Sequence, residues 1–84
     1  MSQNQKQTPK IDIGLAVRKK MSEQGTTIAW LAQKTNSDIS NLRKHLYKEH
    51  IYPELLLKIS FALKTDFFFL YSDYFLQNIE KSVK

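Results

Sequence analysis

Residues 27–46 read TIAWLAQKTNSDISNLRKHL, and the way this stretch folds decides the rest. Its pattern predicts two short helices joined by a tight turn. The first spans residues 28–35 and is capped by Thr27, whose hydroxyl can accept from the free N–H groups of a first turn. Leu31 supplies its apolar side, and Ala32 is small enough to let a second helix cross closely. Asn36 follows, and asparagine is the non-glycine residue that best tolerates a left-handed backbone. Asp38 is placed to cap a second helix over residues 39–48, where both the open N–H groups and the helix dipole favour a carboxylate. Leu42 and Leu46 lie four apart and share one side of that helix. Ile39, Ser40, Arg43 and Lys44 are left mainly for its other sides.

This is the layout of a helix-turn-helix, in which the second helix enters the DNA major groove. Ser40 and Asn41, near its start, can donate and accept hydrogen bonds to base edges. Arg43 and Lys44, one turn on, suit guanine or a phosphate. Ile39 has two readings of equal weight: contact with a thymine methyl, or packing between helices. Thr27 likewise either caps and nothing more, or also holds a phosphate through its hydroxyl and the N–H groups behind it. Trp30 reads as a packing residue. His45 and His50 have no cysteine nearby and are five apart, a poor spacing for a shared metal ion, so no metal site is expected.

Working outward, residues 1–10 (MSQNQKQTPK) are polar and read as a disordered tail, with residues 11–84 as the domain. Helix one is expected over residues 12–24, stopping at Gly25, with Ile13, Val17 and Met21 as its buried stripe. Arg18, Lys19 and Lys20 lie off that stripe, as a solvated face or as phosphate contacts. Residues 49–52 form a connection. Pro53 opens helix four, where its missing N–H costs nothing, and PELLLKISFALK is apolar nearly all round, as is a helix central to the core or one buried on two sides by core and partner. Thr65 and Asp66 end it, with Asp66 capping a fifth helix that begins at Phe67. Phe67, Phe68, Phe69, Leu70, Tyr71, Tyr74 and Phe75 crowd nine positions there. One face closes the domain, and the surplus rings suggest a homodimer contact.

The totals agree with one small domain. Chains of 84 residues bury only about 60% of their unfolded surface, so a second subunit would help. There is no cysteine, hence no disulfide framework or thiolate zinc site. No apolar run approaches the roughly 20 residues that span a bilayer, and the N-terminus has no signal-peptide core, so a cytoplasmic setting without a membrane is the expectation. The net charge of +5 lies on one half. Residues 1–50 hold nine Lys or Arg against four acids, and residues 51–84 hold four of each. A basic half suits a polyanion, and +5 also simply keeps a small domain in solution.

On these residues the chain resembles the Cro/phage-repressor-type (xenobiotic-response-element) helix-turn-helix regulators over residues 13–70. The matching residues are Ile13 and Gly14, Thr27, Leu31 and Ala32, Leu42, Pro53 with LLLKISFAL, and Asp66 before an apolar pair. The resemblance implies an all-α, five-helix lambda-repressor-like DNA-binding domain that acts on operator DNA as a dimer. It places Ile39, Ser40, Arg43 and Lys44 where family members contact bases or nearby phosphates, and Thr27 with the start of helix two at a phosphate. Ile28 stands where many members carry a bracing glutamine, Asn36 where they carry the turn glycine, and His45 at an inward apolar position. Met21 and Leu46 replace a basic–glutamate pair with two apolar residues.

The expected function is sequence-specific binding of double-stranded DNA by a repressor-like transcriptional regulator, through a recognition helix at 39–48. The expected DNA-binding residues are Thr27, Ile28, Ile39, Ser40, Asn41, Arg43, Lys44 and Lys48. The alternative is a protein-interaction module, such as an antitoxin or adaptor, that uses the aromatic C-terminal helix. No nucleophile–base set, paired acids or Gly-rich phosphate loop points to an enzyme, and no cofactor or small-molecule ligand is expected.

Overall fold

The computed structural model describes residues 11–82, with side chains to Ile79; the polar tail expected over residues 1–10 lies outside them. Among the described residues the architecture is all-α. It consists of α1 (Ile13–Gln24), α2 (Ile28–Lys34), α3 (Ile39–Leu46), α4 (Pro53–Leu63) and α5 (Phe69–Ser82), with no strand. No helix among these residues is long and apolar enough to cross a membrane.

Side-chain caps open four of the helices. An Asp12 carboxylate oxygen accepts the Leu15 N–H at 3.0 Å, the Thr27 hydroxyl accepts that of Trp30 at 3.0 Å, Asp38 that of Asn41 at 3.1 Å and Asp66 that of Phe69 at 3.2 Å. Each satisfies one of the N–H groups that a helix start leaves open. Helix α4 begins instead on Pro53, whose ring presets the backbone angle. Gly25 closes α1 at φ 71°, its N–H returning to the Met21 and Ser22 carbonyls. Asn36 turns the chain between α2 and α3 at φ 54°.

The core is where the inward stripes meet. Ile13, Val17 and Met21 of α1, Leu31 and Ala32 of α2, and Leu42 and Leu46 of α3 pack with Leu55, Leu56, Ile59 and Leu63 of α4. Ile51 and Phe67 enter it from the connections. Helix α4 is thus buried on one side only, and Leu57 and Phe61 remain on its outer side. Of the seven crowded residues after Asp66, Phe67 is buried, Phe68, Leu70, Tyr71 and Tyr74 are half-buried, and Phe69 and Phe75 are exposed.

Helix α1 starts and α2 ends one residue inside the sequence expectation, and two further helix boundaries differ from it by two residues. The helix expected over residues 39–48 ends at Leu46, because α1 takes the carbonyls that follow. The Arg18 Nε donates to the Leu46 oxygen at 2.8 Å, the Gly14 N–H to that of Lys48 at 3.1 Å and the Ile13 N–H to that of Glu49 at 2.7 Å. Helix α5 begins at Phe69 rather than Phe67. Phe67 turns inward to the core first, and the Asp66 cap meets the amide two residues later.

Candidate nucleic-acid interface

Helix α3 packs against both α1 and α2, and its side chains divide sharply. Leu42 and Leu46 are fully buried. Ser40 and Lys44, four apart, fall roughly opposite them on the helical wheel, with Arg43 on one flank and Asn41 on the other. All four are exposed. Ile39 is 38% exposed, at the edge of the same surface, so neither of its two readings is removed. Arg43, Lys44 and the half-buried His45 occupy the last turn, where cations are favoured by the helix dipole. Neither Arg43 nor Lys44 forms an ion pair among the described residues.

The remaining expected residues sit around this face. Lys48 is exposed, but it lies in the loop beyond α3, its backbone held by Gly14. Thr27 is exposed at the start of α2, and its hydroxyl, while accepting from Trp30, still has a proton to donate. Ile28 is half-buried and shares a shallow groove with Arg18, Met21 and Tyr47, so it packs on the core more than it projects outward. Trp30 is half-buried, with the Lys34 ammonium 5.7 Å from its ring centroid. His45 meets the ring of Tyr52 edge-on at 5.5 Å. His50 is on the other side of the same loop, its Nδ1 sharing a 2.7 Å hydrogen bond with the Tyr71 hydroxyl. No group of three or more His, Cys, Asp or Glu that could hold a metal ion occurs among the described residues.

Three residues that fix α3 carried little weight in the sequence reading. Gly14 is the first. A Cβ there would lie 2.5 Å from the Leu46 carbonyl oxygen and closer still to that of Lys48, so only glycine lets α1 reach the end of α3. A glycine in a helical pattern costs about 1 kcal/mol against alanine, which is the signal that such a position has a packing reason. The second is half-buried Arg18, whose Nε is a tertiary contact as well as part of a surface cation. Its guanidinium is bonded to Leu46 and lies 4.3 Å from the Tyr47 ring centroid. The third is Thr35, buried in the turn, where its hydroxyl donates to the Leu31 carbonyl at 2.8 Å and meets the Ser37 hydroxyl at 2.8 Å. With the Ser37 N–H bonded to the Ala32 carbonyl at 2.8 Å, the connection between α2 and α3 is tied internally at several points.

No family model, no curated protein and no solved structure matches the chain.

Proposed function

We propose that the chain is a sequence-specific, double-stranded-DNA-binding regulator of transcription, repressor-like in action, with α3 as its recognition helix. The observation that carries this is the outward side of α3. Ser40, Asn41, Arg43 and Lys44 are all exposed, opposite two fully buried leucines. Hydrogen-bonding groups near a helix start with cations one turn on are what a major groove and its phosphate walls accept. In this reading α2, the turn at Asn36 and α3 form a helix-turn-helix within a five-helix lambda-repressor-like domain. Ser40 and Asn41 face base edges, and Arg43 reads guanine or grips a phosphate. Lys44, Lys48 and Thr27 hold the flanking phosphates, and Ile28 seats the start of α2. The excess of positive charge on residues 1–50 supports the same assignment.

Selection of bound fragments from random duplex DNA tests it. The expected result is a recurrent site, with affinity falling steeply as salt rises and weakened by Arg43→Ala. Failure to retain any duplex at low salt would sink the reading.

The second reading is an adaptor or antitoxin, and one observation favours it. The outward side of α5 carries Phe69, Phe75, Leu76 and Ile79, all exposed. A chain of that kind would bind a protein through α5 and shift no DNA at any salt concentration.

A further inference from the structure

Helix α4 has an outer strip as regular as its inner one. Glu54, Leu57 and Phe61 recur at steps of three and four, so they lie on one side of the helix, and Lys64, the left-handed cap residue just past its end at φ 52°, sits beside Leu57 and Phe61. All four are exposed: Leu57 is 47% and Phe61 74% accessible, although both are large and apolar. Beside the strip runs a mainly apolar groove of about 330 Å³, lined by Leu57, Phe61 and Phe68 with Ser60, Lys64, Thr65 and Asp66. The strip therefore carries a projecting ring and, next to it, a hollow of matching chemistry.

We infer that a second copy of this chain covers the strip, with the two α4 helices antiparallel about a two-fold axis. The sequence of the strip is complementary to itself in that arrangement and in no parallel one. Placing Leu57 opposite Phe61 of the second copy fixes the register. The same register places Glu54 opposite Lys64 of the second copy, and two-fold symmetry repeats both pairs. Each Phe61 ring then enters the groove beside Leu57 on the other copy, as a knob enters a hole. Opposite charges meet at both ends, and the two helix dipoles oppose. A parallel pairing would set Glu54 against Glu54 and Lys64 against Lys64. Neither Glu54 nor Lys64 is occupied by an ion pair among the described residues.

The outer side of α5 is a poorer place for a second copy. Its exposed side chains Phe69, Phe75, Leu76 and Ile79 include no oppositely charged pair that would fix a register, and Asp73 lines the cavity against α1 instead. Of the rings after Asp66 that suggested a dimer contact, Phe67 is buried, Phe68, Tyr71 and Tyr74 are half-buried, and Phe69 and Phe75 are exposed. The groove beside the outer strip of α4 includes none of Ser40, Asn41, Arg43 and Lys44. The inference does not rest on the functional reading above, and it stands or falls without DNA.

Sedimentation of the full chain across a concentration series, with no nucleic acid present, tests it. The expected result is a monomer–dimer equilibrium that Phe61→Asp weakens at least about 100-fold, with the helical circular dichroism unchanged. Glu54→Lys and Lys64→Glu should each weaken the dimer, and the double exchange should restore it, which only the antiparallel register explains. Leu76→Asp on α5 should leave the dimer intact. A wild-type chain that stays monomeric, a dimer indifferent to Phe61→Asp, or one broken by Leu76→Asp would each overturn the inference. Absence of DNA binding would instead sink the functional reading and leave this one standing.

Discussion

At the scale of single residues, the junction of α1 with the end of α3 concentrates the consequences. Gly14→Ala forces a methyl group against two backbone carbonyls that cannot swing aside. The expected cost is about 1–3 kcal/mol of unfolding free energy, read from urea denaturation. Gly25→Ala meets nothing within 4 Å and should cost roughly 1–2 kcal/mol, through its left-handed backbone alone. Arg18 separates positioning from phosphate contact. Because its guanidinium is committed to the Leu46 carbonyl and the Tyr47 ring, Arg18→Met should lower stability by about 1–3 kcal/mol. It should leave the salt dependence of DNA binding unchanged. A slope shallower by about one would mean that Arg18 meets a phosphate after all.

At the scale of the element, α3 is built so that its two sides fail differently. Leu42→Ala removes a fully buried side chain and should cost about 2–5 kcal/mol in global stability. Asp38→Ala removes the cap on Asn41 and should cost about 1 kcal/mol. Lys44→Ala touches neither, so the melting temperature should barely move. In the proposed function it should reduce the salt slope of DNA binding by about one. A loss of fold in Lys44→Ala, or a loss of DNA affinity confined to Leu42→Ala, would contradict this division of labour. Helix α4 has a comparable split, with Leu55, Leu56, Ile59 and Leu63 sealed inside while Leu57 and Phe61 stay uncovered within one chain.

At the scale of the whole molecule, α5 is fastened back to the connection between α3 and α4. The Tyr71 hydroxyl shares a hydrogen bond with His50, the two rings stacked at 6.0 Å. Burial raises the Tyr71 phenol above its ordinary value of 10.0, because desolvation penalises the phenolate. The folded chain therefore holds that proton more tightly than the unfolded chain does. Its contribution to stability is whole below about pH 10 and is lost as pH rises through the raised folded value. The denaturation midpoint is expected to fall above pH 10, and Tyr71→Phe should flatten that decline. An unchanged decline in the variant would assign it to other groups.

The sequence alone determined what depends on residues a few places apart. The caps at Thr27, Asp38 and Asp66, the stop at Gly25, the left-handed turn at Asn36 and the proline start of α4 all follow from hydrogen bonds within one helical turn. The buried stripes Ile13–Val17–Met21 and Leu42–Leu46 follow from helical periodicity. Only the tertiary structure decided where α3 stops, why Gly14 must be glycine, what Arg18 holds and which large apolar side chains stay uncovered. Arg18 and the Leu46 carbonyl are 28 residues apart, and no local pattern encodes which distant backbone atom a long side chain will reach. The same limit explains α4. Its composition announced an apolar helix, but whether one side or two are covered depends on how many neighbours pack around it. In this chain they cover one side only.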